Sequence, residues 1–277
     1  FIANRHSTSA KSFLGVNVAA GSSDGAGELK LALDTLFNHA NGGPFIARQL
    51  IQRLVTSNPS PAYVGRVAAV YGNNGAGVRG DLKAVLRALL LDDEARGLPT
   101  AAGGGKLREP IFRLIQWARS FGARSPSGQW GIGDTSDPAT RLGQSPLRSP
   151  SVFNFFRPGY IPPNTAIGAQ GLVAPEFQLA NESTLVGYVN SMQALIQNGR
   201  GDVTADYSAF ASGAADAPGL VDRINTVLAA GQLGTATRST ISTAVATIDA
   251  STDAGKLRRV QATVLLVMSA PEYLVLK

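Results

Sequence analysis

The stretch GGPFIARQLIQRLVTSNP, residues 42–59, sets the fold class of this chain. Its apolar residues recur at intervals of three and four, in rows formed by Ile46, Leu50, Leu54, Ile51 and Val55. This spacing places them on one side of a helix. Pro44 suits the first helical turn, and Pro59 cannot continue the helix beyond it. The stretch therefore predicts an amphipathic helix with a defined start and end.

The same spacing continues on both sides of this stretch and predicts a mostly α chain. Further helices are expected over 28–38, after Ser60, after Asp81, over about 108–121 and through most of the C-terminal third from Asn181 onward. The helix over 108–121 is expected to face inward through Ile111, Leu114, Ile115 and Ala118. Glu109 and Arg113 are expected to pair across one turn of it. One short strand is predicted over 13–18.

The helical spacing disappears between residues 122 and 180, where prolines, glycines and serines are frequent. This part also carries aromatic side chains that need somewhere to pack: Trp130, Phe153, Phe155, Phe156, Tyr160 and Phe177. It is therefore predicted to be a long, ordered, irregular segment packed on the helical body. The expected organisation is an N-terminal helical part over 1–121, the irregular segment over 122–180, and a C-terminal helical part over 181–277. The two helical parts are expected to form one compact domain.

The composition restricts the chemistry more than the fold. The 277 residues include no cysteine, which excludes disulfides, thiolate metal sites and a cysteine nucleophile. With only two histidines, His6 and His39, no metal site and no cofactor are expected. The hydrophobic fraction of 44% is enough for a substantial core, so disorder of the whole chain is excluded.

The net charge of +6 comes from basic residues that are scattered along the chain. They form no basic run and do not alternate with aromatic residues, so nucleic-acid binding is not expected. An acidic polysaccharide stays open as a partner, because a basic surface attracts polyanions. No apolar run approaches the ~18 residues of a membrane span.

Several short motifs match known patterns only in part. The glycines of residues 75–80 follow G-x-G-x-x-G, but a helix and not a strand is predicted before them, so a turn capped by Asp81 is the preferred interpretation. Asp202 and Asp206 resemble a calcium loop that lacks the required Gly and Glu. The Arg-Gly-Asp triplet at 200–202 does not predict a binding function unless its exposure and structural context support one. Residues 143–147 lack the second Gly of a nucleophile elbow.

The irregular segment and its neighbours hold the best candidate site. Polar residues lie there among aromatics and prolines, and the candidates for binding are Gln144, Arg148, Asn154, Arg157 and Glu176. Such a mixture is typical of a ligand pocket, and equally of a segment whose polar groups satisfy buried backbone. His6 and His39 are candidate bases, against the alternative that each makes an ordinary structural hydrogen bond.

Several ordered blocks along the chain resemble one bacterial family, domain of unknown function 1800. They are LFNH at 36–39, FIARQLIQRLVTSNP at 45–59, GVRGDL at 77–82, KLREP at 106–110, QSPLRSPSVFNFF at 144–156 and PEYL at 271–274. His6, Lys11, Leu14 and Gly15 match a His-x4-Lys-x-x-Leu-Gly block of the family. The resemblance covers nearly the whole chain. It adds Lys11, Arg48 and Arg53 to the candidate binding residues.

The resemblance implies a location and a context but no reaction. Members of the family are usually about twice as long and often follow an export signal, so this chain resembles the C-terminal half of an exported bacterial protein, periplasmic or extracellular. The expected partner is its own N-terminal half or another exported protein. No family catalytic residue can be carried over to a position of this sequence.

Two functional hypotheses follow. The first, which we favour, is a binding or assembly component without catalytic activity, part of a longer polypeptide or complex. The second is an exported enzyme acting on a polymer or polysaccharide, with His6, His39, Arg48, Arg157 and Glu176 meeting in one cleft. The sequence leaves enzymatic activity open and leans against it.

Overall fold

A computed structural model describes residues 1–97 and 104–277. The described residues are mostly helical, as predicted, with thirteen α-helices and two small antiparallel sheets of two strands each. They divide into two compact units, residues 1–100 and 101–277. None of the described helices has the length and apolar character needed to cross a membrane.

After a short 3-10 helix over Ala3–Arg5, the first unit forms a hairpin and not the single strand predicted over 13–18. Strands β1 (Lys11–Phe13) and β2 (Val16–Val18) pair antiparallel, with Lys11 opposite Val18. Leu14 and Gly15 both have positive φ angles, 47° and 81°, and form the turn between them. A two-residue turn of this kind matches the twist of a hairpin. The glycine at its second position indicates such a turn in the sequence.

Five helices follow in the first unit: α1 (Gly25–Asn38), α2 (Gly42–Leu54), α3 (Pro61–Gly72), α4 (Leu82–Leu91) and α5 (Asp93–Arg96). The predicted caps are confirmed, since Ser60 accepts a hydrogen bond from the Tyr63 amide and Asp81 accepts from the amides of Lys83 and Ala84. The glycines at 75–80 therefore lie in a turn between two helices, as preferred above. The glycines of residues 97–105 also predict a break between helices, and most of that stretch lies outside the described residues.

The core of the first unit lies between α2, α3 and α4. Its fully buried side chains include Ala47, Ile51, Tyr63, Val67, Val85 and Leu89. The Tyr63 hydroxyl donates to the Leu89 carbonyl at 2.7 Å, which satisfies the only polar atom of that side chain. Helix α1 contributes no buried residue to this core.

The second unit contains the remaining elements. They are β3 (Lys106–Leu107), α6 (Pro110–Ser120), α7 (Ala166–Ala169), α8 (Glu182–Asn198), α9 (Ser208–Ala211), α10 (Ala217–Ala229), α11 (Thr235–Ala246), α12 (Asp253–Ser269), α13 (Pro271–Leu274) and β4 (Val275–Leu276). Strands β3 and β4 pair antiparallel, so the chain end is tied to the start of the unit. The core is formed mainly by α6, α8, α10 and α12.

Helix α6 differs from its prediction in two respects. Leu114 and Trp117 are buried, whereas Ile115 remains 43% exposed. Glu109 is the N-cap residue of α6, and both buried side chains bond to other groups than the predicted ones: Glu109 accepts from Gln144, and Arg113 donates to the Arg108 carbonyl. An i,i+4 spacing predicts a pair only on a solvated helix face, and this face is in the core.

The irregular segment over 122–180 is confirmed, apart from α7 and a short 3-10 helix over Pro175–Leu179. It packs against α8, where a Cβ on Gly187 would lie 2.5 Å from the Pro138 carbonyl oxygen. The close approach of the backbone requires glycine at this position of the helix. The prediction of one compact domain from 1–121 and 181–277 stays a prediction.

Candidate functional site

An apolar groove of about 760 Å³ runs along α6 in the second unit. One wall is formed by Ile111, Leu114, Ile115 and Ala118 of the helix, and the other by Trp130, Ile132 and Pro146 of the irregular segment. The polar side chains on its lining are Arg119, Thr135 and Ser145. A largely apolar cleft of this size with a few polar groups has the usual character of a ligand site.

The Trp130 side chain is held at this groove by an unusual backbone. Its φ of 50° lies in the left-handed region, which a residue with a bulky side chain adopts only when its surroundings impose it. The Trp130 amide donates to the Ser125 hydroxyl at 3.1 Å, and that hydroxyl bonds the Asp202 carboxylate at 2.9 Å. Asp202 also accepts from the Ser127 amide at 2.8 Å. The indole is left 50% exposed.

This network explains the Arg-Gly-Asp triplet at 200–202. Asp202 faces the loop over 125–130, and hydrogen bonds from Ser127 and Ser125 hold the pKa of its carboxyl below the usual range. A Cβ on Gly201, whose φ is 59°, would lie 3.1 Å from the Gly131 carbonyl oxygen. The triplet therefore anchors the Trp130 loop and is not displayed as a recognition motif.

A set of buried polar residues holds the irregular segment on the helical body. Lys106 and Glu176 form an ion pair of 3.0 Å in which both side chains are almost completely buried. The Gln144 amide donates to Glu109 at 2.6 Å, and its oxygen accepts from the Ile111 amide at 3.2 Å. Each contact joins the segment to the first elements of the second unit. The sequence KLREP at 106–110 thus supplies the attachment points.

Two arginine side chains, one in this short sequence and one in α6, pack on buried tyrosine rings. The Arg108 guanidinium lies over the Tyr273 ring at 4.5 Å, and the Arg113 guanidinium lies over the Tyr188 ring at 4.7 Å. Burial lowers the pKa of Arg113 and raises the pKa of Tyr273 to about 12. Burial also raises the pKa of Tyr188, so both tyrosines stay neutral at physiological pH and pack against the guanidinium groups as uncharged rings.

The five site residues predicted in the second unit differ in burial and in their contacts. Gln144 and Glu176 are buried and structural, as just described. Arg148 is exposed and pairs with Asp134 at 3.0 Å. Asn154 is exposed at a φ of 65°, and the Arg157 guanidinium lies 5.5 Å from the Phe153 ring centre on the surface. The five therefore lie in different environments, two buried in the second unit and three exposed on its surface.

His6 and Lys11, predicted in the first unit, meet at a carboxylate that sequence reasoning missed. The Glu28 side chain lies 3.1 Å from His6 Nε2 and accepts from Lys11 Nζ at 2.6 Å. The Lys11 hydrogen bond, with one from Ser22, lowers the pKa of Glu28 to about 2. These contacts fasten the hairpin to the first turn of α1. The spacing of His6 and Lys11 in their block was a signal for a shared partner, but nothing in it identified Glu28.

The remaining candidates of the first unit lie apart from this cluster. His39 Nδ1 accepts from the Asn41 amide at 3.1 Å, and the ring lines a groove of about 480 Å³ together with Phe37, Phe45 and Tyr71. Arg48 and Arg53 are exposed on α2. The predicted cleft of five residues has members in both units and stays a prediction.

The first unit also exposes large apolar side chains in regular rows. On α1, Leu29, Leu33 and Leu36 are exposed by 61%, 57% and 56%. On α4, Leu82, Leu86 and Leu90 are exposed as well, one turn apart. The apolar spacing over 28–38 and after Asp81 predicts helices with an apolar face, but it gives no sign that the described residues leave these leucines uncovered.

A protein-family model matches this chain over nearly its whole length. The family described as protein of unknown function, DUF1800, matches residues 1–275. The chain belongs to the DUF1800 family. This confirms the resemblance drawn from the sequence blocks, and the DUF1800 blocks now have structural roles, KLREP in the second unit and the His-x4-Lys block in the hairpin. No curated protein and no solved structure matches the chain.

Proposed function

We propose that this chain is an exported binding or assembly component, which holds a helical protein partner on the leucine rows of α1 and α4. The observation that carries the proposal is that α1, a helix of 14 residues, buries none of its residues. A helix in a globular protein gains most of its stability from packing its apolar face. Helix α1 has such a face, and the described residues do not cover it.

The size of the exposed rows supports a protein partner. Single exposed leucines are ordinary, but regular rows of exposed leucines on two helices of one small unit are typical of a surface that binds a protein partner. Leu36 belongs both to the α1 row and to the lining of the 480 Å³ groove, so the row continues into that groove. Because these leucines are about half exposed, burying the rest of each side chain against a partner contributes about 1 kcal/mol.

The charges beside the α4 row indicate the chemistry of the partner. Lys83 and Arg87 are exposed next to Leu82, Leu86 and Leu90, and neither has a carboxylate partner among the described residues. An amphipathic helix with acidic residues along its apolar face would match both features. The partner is thus a polypeptide helix, either from the preceding part of a longer chain or from another exported protein. The export in this proposal rests on the family resemblance.

The test is a comparison of the natural gene product with two surface variants. Leu33→Glu on α1 and Leu86→Glu on α4 place a charge in each row, and Leu185→Glu on α8 is the control because Leu185 is an exposed leucine of the second unit. Light scattering after size exclusion measures the mass of the complex, and limited proteolysis shows whether cleaved parts of one polypeptide stay together. Both row variants are expected to lose the partner, while the control keeps it.

The proposal fails if the natural product has no associated polypeptide and its own proteolytic fragments do not stay together. It also fails if Leu33→Glu and Leu86→Glu behave like Leu185→Glu. Circular dichroism of each variant separates a lost partner from a lost fold, since the substituted side chains are already at the surface.

A further inference from the structure

The apolar groove on α6 has a cationic side chain on its lining, that of the exposed residue Arg119. Arg119 lines the groove one turn after Ile115, and its guanidinium has no carboxylate partner among the described residues. None of the described residues on the lining is acidic. The nearby carboxylate of Asp134 is engaged with Arg148 and with the Ser136 hydroxyl. The groove therefore favours an apolar molecule that carries one negative charge.

The second wall of the groove is built to hold a fixed shape. Trp130 presents half of its indole, and its backbone is fixed through Ser125 to Asp202. Thr135 is buried and donates to the Gln144 carbonyl at 2.6 Å. Gln144 in turn is bonded to Glu109 and to α6. Such support holds a binding surface in place before a ligand arrives, which lowers the entropy that binding costs.

We propose that this groove binds a single-chain aliphatic carboxylate of the fatty-acid type. The aliphatic chain lies between Ile115 on one wall and Trp130 and Ile132 on the other, and the carboxylate accepts hydrogen bonds from the Arg119 guanidinium. The volume of about 760 Å³ is within the ~300–1,000 Å³ of ligand pockets. The site belongs to the second unit alone and is independent of the partner surface on α1 and α4.

The two tryptophans of the chain make this site directly measurable. Trp117 is fully buried, whereas Trp130 lines the groove, so a bromine atom in the groove quenches Trp130 selectively. The probe is 12-bromododecanoate, below the concentration at which it forms micelles. We expect saturable quenching that unlabelled dodecanoate reverses and that Trp130→Phe abolishes.

Two pairs of variants test the charge and the apolar wall separately. Arg119→Gln is expected to weaken binding about tenfold, because a charge-assisted hydrogen bond is lost, whereas Arg124→Gln, an exposed arginine outside the lining, leaves it unchanged. Ile115→Glu is expected to abolish binding of the carboxylate. Phe112→Glu is its control, since Phe112 is equally exposed on α6 but does not line the groove.

Three results would overturn the proposal. The first is quenching that does not saturate below the micellar concentration. The second is equal affinity for dodecanoate and for dodecyltrimethylammonium, because the site would then not distinguish a negative from a positive head group. The third is Ile115→Glu binding as well as Phe112→Glu. Competition by an apolar peptide but not by dodecanoate would assign the groove to a protein segment and equally contradict a fatty-acid site.

Discussion

Lys106 and Glu176 form a buried ion pair of 3.0 Å that joins β3 to the 3-10 helix at the end of the irregular segment. Glu176→Gln removes the carboxylate of this pair, and breaking a buried ion pair typically costs about 3–5 kcal/mol in the free energy of unfolding. Urea unfolding followed by tryptophan fluorescence measures this cost in the second unit, because both tryptophans lie there.

The double variant Lys106→Met/Glu176→Leu separates charge from packing. It removes both ions and keeps apolar volume, so its free energy of unfolding is expected to be close to that of the parent. A double variant as unstable as Glu176→Gln would show that the pair contributes through contacts other than its charges.

Glu28 makes the first unit sensitive to acid. Its pKa in the folded chain is about 2, below the ordinary value of 4.5, chiefly because Lys11 donates to it. A carboxyl with a lowered folded pKa stabilises the fold above its unfolded pKa, and this stabilisation is lost as the pH falls from about 4.5 to about 2. Lys11→Met is expected to move the Glu28 pKa back toward 4.5, measured from the carboxyl carbon shift by NMR between pH 2 and pH 7. An unchanged titration would remove Lys11 as the cause.

Gly187 tests how closely the irregular segment is packed on α8. A Cβ at this position would meet backbone atoms of Pro138 and Ala139 at 2.5–2.9 Å, so Gly187→Ala is expected to destabilise the second unit by about 1–3 kcal/mol. Gly65 in α3 has nothing within 4 Å of the added methyl group, and Gly65→Ala is expected to stabilise the first unit by about 0.5–1 kcal/mol. Thermal unfolding by circular dichroism measures both. Equal effects of the two substitutions would contradict the close approach at Gly187.

Asp202 is expected to control the position of Trp130. Asp202→Ala removes the acceptor for Ser125 and for the Ser127 amide, so the loop that fixes the indole loses its anchor. Acrylamide quenching of Trp130 is expected to increase, while Trp117 stays protected. Asp249→Ala is the control, because Asp249 makes a similar local bond to Ser251 at another turn. If both variants are quenched alike, Asp202 does not position the indole.

The helices and their caps were predictable because their signals are local. The rows of Ile46 and Leu50, the cap at Ser60 and the cap at Asp81 each depend on residues within one or two turns. The blocks that resemble the family were equally readable, since they are contiguous stretches of sequence.

The site was less predictable because its contacts join distant positions. Ser125 and Asp202 are 77 residues apart, and Glu28 meets Lys11 from a different element. An amphipathic row such as Leu29, Leu33 and Leu36 predicts a helix face that needs cover, but it does not say which surface covers it. For the same reason Glu109 and Arg113 fitted a pairing rule that holds only for a solvated face.

The central claim is that a partner helix covers the leucine row of α1, and site-specific photo-crosslinking measures this directly. Benzoylphenylalanine replaces Leu33 in the natural gene product, with replacement of Val186, an exposed residue of α8, as the control. The account predicts efficient crosslinking from position 33 to one defined helical segment, identified by mass spectrometry, and little from position 186. Equal and low yields at both positions, with the α1 row open to solvent in the natural product, would contradict it.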